Sequence, residues 1–307
     1  MIRTKNTKLK NPSAILCSDF HLRETTPLCR TDDFQTAQWN KLDYISQLQI
    51  KYHCPVIHAG DLFDHWKPSP WLLSMAMIHL PDNFMTIYGQ HDLPQHSLDL
   101  IDKCGVNTLQ TAKKLEVLNT CHWGQTPSEY GSLLFPIDVN TSIGKLNEIC
   151  TVLVWHVMTW TGALPWPGCT SSPAEDLLVK YPQFNLILTG DNHKTFTAEV
   201  DGRLLVNPGS LTRQDADQEQ HRPCVFLWYA QSNSIECVFL PAKPGVVSRE
   251  HIEHKKEHDE RISAFVERLD KRQLRGFDFK SNLQQFMINN QIRESVKDLV
   301  WRAIDNE

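Results

Sequence analysis

The sequence predicts an α/β fold in which two sheets form a sandwich flanked by helices, with a small helical appendage at the C-terminal end. Three observations support this prediction. Apolar runs alternate with helical patterns in the first half of the chain, short strands follow one another after residue 190, and a charged helical stretch begins near residue 246. The 307 residues are enough for one large domain and a smaller one.

Five apolar runs predict buried strands, because each is rich in aliphatic or β-branched residues and is followed by Gly or polar residues. The runs are residues 14–17, 55–57, 84–88, 151–155 and 186–188. In an open α/β sheet, ligands bind beyond the carboxyl ends of the strands. The side chains that follow these five runs should therefore gather in one crevice.

Helices are predicted between the strands. Residues 33–50 carry apolar side chains close to a period of 3.6, and residues 70–80 have Pro near the start and Pro just past the end. A shorter helix is predicted from Ser97 to Gly105. Residues 106–150 carry only weak strand signals, at 115–118 and 133–135.

The second half of the chain predicts further strands and then helices. Asp201-Gly202 predicts a hairpin turn. The strands are expected at residues 196–200, 204–206, 224–229 and 235–240. We expect a main domain over 1–245 and a helical appendage over 246–307. The appendage carries two apolar stripes, made of Ile262, Phe265, Val266 and Leu269 and of Ile292, Val296, Leu299, Val300 and Ala303. It would either pack on the main domain or dock another polypeptide.

The composition of the chain indicates where in the cell the protein is expected. No apolar run is long enough for a membrane helix, and the first residues lack the apolar core of a secretory signal. The nine cysteines have no C-x-x-C spacing, which favours reduced thiols in a cytoplasmic protein. The net charge of −5 means that any attraction to nucleic acid must be local.

Metal-ligand residues follow all five predicted buried strands. Carboxylate, imidazole and amide donors in one crevice are typical of a site for divalent cations, and this number of donors indicates two ions. The candidate ligands are Asp19, His21, Asp61, Gln90, His156, Asp191 and His193.

The order of these motifs, D-x-H, G-D, G-[N/Q]-H-D, an isolated His and G-x-x-H, resembles that of the calcineurin-like metallophosphoesterases over residues 14–215. Within that family the chain is most similar to SbcD-type DNA repair nucleases. Gly60-Asp61-Leu62-Phe63 and Asn207-Pro208-Gly209-Ser210 carry this closer likeness. The resemblance implies the two-sheet metallophosphoesterase sandwich and hydrolysis of phosphate esters.

The resemblance also implies a role for each candidate residue. One cation would be held by Asp19, His21, Asp61 and His193, and the other by Asp61, Gln90, His156 and Asp191. Asp61 would bridge them, and a bridging water would attack phosphorus as hydroxide. His91 would stabilise the transition state or protonate the leaving oxygen, and Asp92 would orient His91 by a hydrogen bond.

Three positions depart from the family pattern. Gln90 stands where Asn is usual, and Asp191 stands where the first His of G-H-x-H is usual, so the second cation site gains a carboxylate and becomes harder. This predicts Mn²⁺, with Mg²⁺ as the alternative, rather than Zn²⁺, unless only one ion binds well. Asp64 stands where the repair nucleases usually have His, and the neighbouring His65 would either replace it or be a surface residue.

Two arginines complete the set of candidate substrate-binding residues, with His65. Arg23 follows the first motif and Arg213 follows the Pro-Gly-Ser turn, so each would either clamp a phosphate or be a solvated loop residue.

Three functions remain open at this stage. The first is a nuclease acting on DNA, for which the resemblance implies an SbcC-like ATPase partner and a homodimer. The second is a phosphatase or phosphodiesterase acting on a small molecule, a nucleotide or a phosphoprotein. The third is a phosphoesterase fold kept for protein binding, which the presence of His91 and all the ligand positions disfavours.

Overall fold

The computed structural model describes residues 11–118, 134–138, 149–253, 256–257, 259–264 and 279–305. The chain divides into two compact units, Met1–Ser248 and Arg249–Glu307. Within the predicted appendage, Phe265, Val266 and Leu269 lie outside the described residues, as does residue 133 of the weak strand signal.

The first unit is built from two sheets. The strands in chain order are β1 (Ala14–Cys17), β2 (Val56–His58), β3 (Phe84–Thr86), β4 (Glu116–Val117), β5 (Leu134–Asp138), β6 (Ile149–His156), β7 (Leu186–Gly190), β8 (Phe196–Val200), β9 (Arg203–Asn207), β10 (Cys224–Tyr229) and β11 (Ser234–Phe239). One sheet has the order β11-β10-β1-β2-β3-β4, and the other has the order β5-β6-β7-β9-β8. Strands β1 to β4 run parallel, as do β6, β7 and β9.

Helices cover the outer faces of this sandwich. In the first unit they are α1 (Phe34–Tyr52), α2 (Pro70–His79), α3 (Gly105–Thr111) and α4 (Ala174–Lys180). The side chain of Asp33 caps α1 and that of Ser69 caps α2, because each accepts a hydrogen bond from a first-turn N–H. The second unit contains α5 (Phe279–Asn289) and α6 (Glu294–Asp305).

Alternation along the strands divides the core into three layers. On β1, Ile15 and Cys17 pack with α1, α2 and α3, whereas Ala14 and Leu16 pack between the two sheets. On β6, Leu153 faces α4. Because both faces of each central strand are covered, these strands are apolar throughout rather than alternating. The predicted two-sheet α/β sandwich flanked by helices is confirmed.

Most predicted elements occur where the sequence places them, including the hairpin turn at Asp201-Gly202, where both residues have positive φ. The predicted short helix that Ser97 opens occurs as a 3-10 helix capped by the Ser97 side chain, but its predicted end at Gly105 is wrong. Two 3-10 helices occupy Pro94–His96 and Leu98–Lys103, and Gly105 begins α3 instead of ending a helix. Helix α4 was not predicted, although Pro173 and two acidic residues in its first turn are helix-start signals.

In the part of the chain that the structure describes, every helix is too short or too polar to span a bilayer.

The layer between the sheets should dominate the stability of the first unit. Leu16 is fully buried there, so Leu16→Ala should lower the free energy of unfolding by about 2–5 kcal/mol, through lost apolar contact and the cavity left behind. Leu28 is 85% exposed, and Leu28→Ala is the matched control that should leave stability almost unchanged. Urea unfolding followed by fluorescence measures both. Equal loss in the two variants would contradict the assignment of this core.

Candidate metal centre

The carboxyl ends of five parallel strands meet at one edge of the sandwich. Strands β1, β2 and β3 supply residues from the first sheet, and β6 and β7 supply residues from the second. Two hydrogen bonds link the strand ends directly: the N–H of Asp19 donates to Gly60 O at 3.1 Å, and His156 Nδ1 lies 2.7 Å from Ala59 O. The fold therefore brings the predicted donors of both sheets to one place.

Four of the seven candidate ligands have a left-handed backbone. The φ angles are 51° at Asp19, 44° at His21, 57° at Asp61 and 75° at Asp191. This conformation is unfavourable for a residue with a side chain and costs about 1–3 kcal/mol at each position. Such strain persists where the surrounding structure enforces it, and it is concentrated at functional sites. Asp191 directly follows β7, whereas Asp19, His21 and Asp61 lie two to four residues beyond the ends of β1 and β2.

Asp19, His21 and His193 form the first donor group. The Nε2 atoms of His21 and His193 face each other at 3.0 Å, and His21 Nε2 lies 4.0 Å from Asp19 Oδ1. Asp19 and His21 are buried, and Asp19 Oδ2 has no hydrogen-bond partner among the residues that the structure describes. A buried carboxylate oxygen without a donor beside two converging imidazoles fits a bound cation better than it fits a closed hydrogen-bond network.

Asp61 joins this group to His156. Asp61 Oδ2 lies 3.6 Å from His21 Nε2 and 3.1 Å from His156 Nε2. The Nδ1–H of His156 donates to Ala59 O, which leaves Nε2 to point at the carboxylate and makes it the ligand atom. Among the described residues, the three donor groups that could hold an ion are Asp19, His21 and His193; His21, Asp61 and His91; and Asp19, Asp61 and His156. Asp19, His21 and Asp61 each belong to two of these groups, so the groups overlap in one site.

The pKa values of these groups record how strongly the buried charges interact. Burial lowers the pKa of His21 well below its ordinary value, so its imidazole is neutral. Burial alone would also lower the pKa of His156, but Asp61 raises it to about 10. Burial raises the pKa of Asp19, whereas in Asp61 the effect of burial is outweighed by His156 and His21, which hold the pKa below its ordinary value. The carboxylates favour positive charge among them, which is the electrostatic requirement of a cation site.

Gln90 and Asp191 lie together at the side of the crevice assigned to the second cation. Gln90 Nε2 donates to Asp191 Oδ1 at 2.7 Å, and the N–H of Asp191 donates to Asp19 Oδ1 at 2.9 Å. Asp191 is outside the three donor groups named above. The structure therefore brings the two unusual residues of this site to each other and, through Asp19, to the remaining donors.

His91 lies at the exposed edge of the donor set. Its N–H donates to Asp61 Oδ1 at 2.8 Å, and its ring meets the ring of His21 edge-on with centroids 4.8 Å apart. Its Nδ1 lies 3.0 Å from Asp64 O, so an Nδ1–H donor there leaves Nε2 available to a substrate. Exposure next to two buried candidate ligands suits a residue that acts on substrate rather than on the ions.

Asp64 has a larger role than the sequence indicated. Its Oδ1 lies 3.2 Å from Arg23 Nη1 and 3.9 Å from His21 Nδ1, and its carbonyl oxygen is the partner of His91. Asp64 therefore positions one predicted substrate residue, Arg23, and the predicted acid, His91, beside the donor set. In the sequence, the only signal for this role is that Asp64 stands where the repair nucleases usually have His.

The predicted hydrogen bond from Asp92 to His91 is wrong. Asp92 is fully buried, and its carboxylate accepts the backbone N–H groups of Leu62, Phe63 and Gly89 at 3.0–3.2 Å. Burial and the charge of Asp61 raise the pKa of Asp92 to about 7, against the effect of the three donors. Asp92 fixes the loops that follow β2 and β3 relative to each other, and His91 is oriented by Asp64.

Two predicted substrate residues, His65 and Arg213, form hydrogen bonds with backbone groups. His65 is exposed, and its Nδ1 accepts the N–H of Lys67 at 3.2 Å within the same loop. Arg213 is buried, and its guanidinium donates to the carbonyl oxygens of Glu219 and Lys243. His65 is thus an exposed loop residue, and the guanidinium of Arg213 is engaged by backbone carbonyl oxygens, so the substrate-binding roles of both residues stay predictions.

Close packing explains the glycines at the strand ends. A Cβ atom at Gly89 would lie 2.1 Å from Asp61 Oδ1, and one at Gly190 would lie 2.7 Å from His156 Nδ1. Real side chains do not approach so closely, so any larger residue would displace the bridging candidate Asp61 or the imidazole of His156. The glycines of the G-[N/Q]-H-D and G-x-x-H patterns thus leave the room that the ligands require.

The Asn-Pro-Gly-Ser segment holds the loop of His193. Asn207 Nδ2 donates to Asn192 O at 2.5 Å and to Lys194 O at 2.7 Å, and the N–H of Ser210 donates to His193 O at 3.1 Å. Asn207 is fully buried. These three hydrogen bonds therefore support the loop that carries His193, a role that the sequence motif alone did not specify.

Comparison with known proteins yields only distant likenesses. No family model and no curated protein matches this chain. Among solved structures it is similar to an archaeal phosphodiesterase, with 14% identity over 74% of this chain and 99% of the other and a TM-score of 0.43. It is also similar to a predicted phosphoesterase from Streptococcus pneumoniae (10% identity, 76% and 94% coverage, TM-score 0.35) and to Vps29 from Entamoeba histolytica (12%, 75% and 99%, TM-score 0.33). The assignment of this site therefore rests on its own geometry.

The buried carboxylate of Asp92 should be essential to the site's loops. Asp92→Ala leaves three buried N–H groups without an acceptor and should lower the free energy of unfolding by about 3 kcal/mol or more, whereas Asp92→Asn retains one acceptor and should cost less. Asp82 is an exposed surface acid, so Asp82→Ala should change little. Thermal and urea unfolding of the three variants provide the measurement, and a stable Asp92→Ala protein would contradict this role.

Proposed function

We propose that this chain is a calcineurin-like metallophosphoesterase that hydrolyses phosphodiesters with two divalent cations. The observation that supports this most is the position of Asp61 Oδ2, 3.6 Å from His21 Nε2 and 3.1 Å from His156 Nε2. A carboxylate between two separate imidazole groups is the arrangement expected of a ligand shared by two ions.

We propose the two ligand sets that the family resemblance implies. Asp19, His21, Asp61 and His193 would hold one cation, and Asp61, Gln90, His156 and Asp191 would hold the other. Three carboxylates and an amide favour harder ions, so we propose Mn²⁺ first and Mg²⁺ second. When bound, the two cations would polarise the phosphoryl group and lower the pKa of a water molecule.

The chain's own residues would then position and protonate the substrate. Asp64 O holds the Nδ1–H of His91, so His91 Nε2 can donate a proton to the leaving oxygen or stabilise charge that develops on the phosphoryl oxygens. Arg23 Nη1 is paired with Asp64 at the same edge, which places a guanidinium where it can approach a phosphate. Asp92 fixes the positions of the loops that carry Asp61 and His91 relative to each other.

An open cleft beside the donor set provides room for the substrate. It measures about 630 Å³, and its lining includes Asp191, His193 and Lys194. Phe239, which is 49% exposed, also lines it, with the guanidinium of Arg222 placed 3.9 Å from the ring centroid. The exposed ring of Phe239 and the cationic side chains of Lys194 and Arg222, beside a phosphoesterase site, suit a substrate that carries a nucleobase. We therefore propose DNA as the substrate, in accord with the SbcD-like motifs.

A small-molecule, nucleotide or phosphoprotein substrate is the alternative. Two observations favour it: the net charge is −5, and the buried guanidinium of Arg213 is unavailable to a nucleic-acid backbone. The proposed partner, an SbcC-like ATPase docked on residues 246–307, the proposed homodimer and the cytoplasmic setting follow from the sequence alone.

The function is tested by offering the full chain, with Mn²⁺, both bis-p-nitrophenyl phosphate and linear and hairpin DNA. We expect hydrolysis of both substrates, and His91→Ala should lower kcat by about 10²- to 10⁴-fold because proton transfer is lost. His53 is exposed at the end of α1, so His53→Asn is the matched control and should keep full activity.

The outcomes separate the candidate functions. Hydrolysis of the small ester with DNA left intact would reject the nuclease and leave the alternative. No metal-dependent hydrolysis of any ester, or equal activity in His91→Ala and His53→Asn, would contradict the proposed mechanism. Phe239→Ala should raise KM for DNA while leaving kcat for the small ester unchanged, if the cleft holds a nucleobase.

A further inference from the structure

A second cavity lies apart from the metal centre and shares no lining residue with the donor set. Its volume is about 370 Å³, and it is enclosed by α1, the segment before it, Arg213 and residues 241–243. Four cationic side chains line it, against two carboxylates. The cations are Arg30, Lys41, Arg213 and Lys243, and the carboxylates are Asp32 and Asp33.

Lys41 is a buried cation in this cavity. Only 3% of the residue is exposed, and its Nζ donates to Ala37 O, one turn earlier in α1, at 3.0 Å. Within the described ranges no carboxylate lies within ion-pair distance of it. An ammonium group has three donors and strongly prefers water or an anion, so burial with one carbonyl partner leaves its charge uncompensated.

Arg213 is a second buried cation with the same property. Its guanidinium donates to the carbonyl oxygens of Glu219 and Lys243, and the described part of the chain offers it no carboxylate partner. Burial and the neighbouring charge of Arg30 lower its pKa. Burial, Arg30 and Arg213 likewise lower the pKa of Lys41, to about 8. The cations therefore repel one another at close range.

The two carboxylates of the cavity are already engaged. Asp32 pairs with Arg30 through two hydrogen bonds of 2.8 Å. Asp33 caps α1, where it accepts the N–H and the hydroxyl group of Thr36. Asp32 favours the charges of Lys41 and Arg213 from a distance, but among the described residues neither acid forms an ion pair with them, so the cavity contains two buried positive charges without a paired anion.

We propose that this cavity binds a phosphate group, as free phosphate or as a phosphomonoester. A phosphate dianion balances the charges of Lys41 and Arg213 together, which a single carboxylate would not do. The exposed Lys243 stands at the rim, where it can complete the set of donors. The volume exceeds that of one phosphate ion, which leaves room for a small group esterified to it.

The site is separate from the substrate cleft but is connected to the metal centre through the backbone. Arg30 Nη1 donates to Arg213 O at 2.9 Å. Two residues earlier, the N–H of Leu211 donates to Asp19 O at 3.1 Å, and the N–H of Ser210 donates to His193 O. A phosphate held by Arg213 would therefore steady the segment that supports two candidate ligands.

This inference is tested by titrating inorganic phosphate into the full chain at constant ionic strength, with a chelator present to remove metal ions. The heat of binding is measured by titration calorimetry, and the melting temperature is measured at each phosphate concentration. We expect one saturable site. Lys41→Met should weaken binding at least tenfold and should melt no lower than the unmodified chain in phosphate-free buffer, because it removes an unpaired buried charge. Lys51→Met, an exposed lysine on the same helix, should bind phosphate normally.

Two further variants distinguish this site from the metal centre. Lys243→Ala changes only an exposed side chain and should weaken phosphate binding severalfold without loss of fold. His193→Ala removes a candidate metal ligand and should leave phosphate binding unchanged. Binding that survives both Lys41→Met and Lys243→Ala, or that is lost in His193→Ala, would overturn the proposal without bearing on the phosphoesterase assignment.

Discussion

The convergence of strand ends from two sheets is the constraint on which the rest of this structure depends. Donors that are far apart in sequence reach one crevice only because β1 to β3 and β6 to β7 end at the same edge of the sandwich. The chain must then turn sharply within one or two residues, and Asp19, Asp61 and Asp191 adopt left-handed backbone angles to do so. Local strain is thus the consequence of placing side chains from both sheets within reach of one another.

Electrostatics imposes the second requirement. Asp19 and Asp61 are buried within a few ångströms of each other, and carboxylates in such a place are stable only with positive charge between them. His156 supplies part of that charge, since Asp61 raises its pKa. The surrounding residues hold the ligands in place: Asn207 donates two hydrogen bonds to the loop of His193, and glycines make room for the ligands. The cavity around Lys41 is the opposite case, because there the buried charges that lack a paired partner are positive.

Much of this architecture was accessible from the sequence because its signals are local. Apolar runs identified the central strands, helical periodicity identified α1, and polar residues at strand ends identified the donors. The sequence was less informative about side chains whose partners lie far away along the chain. Asp92 is adjacent to His91 in sequence but bonds to backbone across two loops, and Arg213 is directed into the body of the domain. Gly105 was read as a helix end because a glycine signals a boundary without giving its direction.

The most direct test of the central claim is anomalous diffraction from crystals of the full chain grown with Mn²⁺. We expect two anomalous peaks at the strand ends, about 3.5–4 Å apart, with Asp61 bound to both ions. One should contact His21 and His193, and the other should contact His156. A single peak without Asp61 as a ligand, or no peak within this crevice at saturating Mn²⁺, would contradict it.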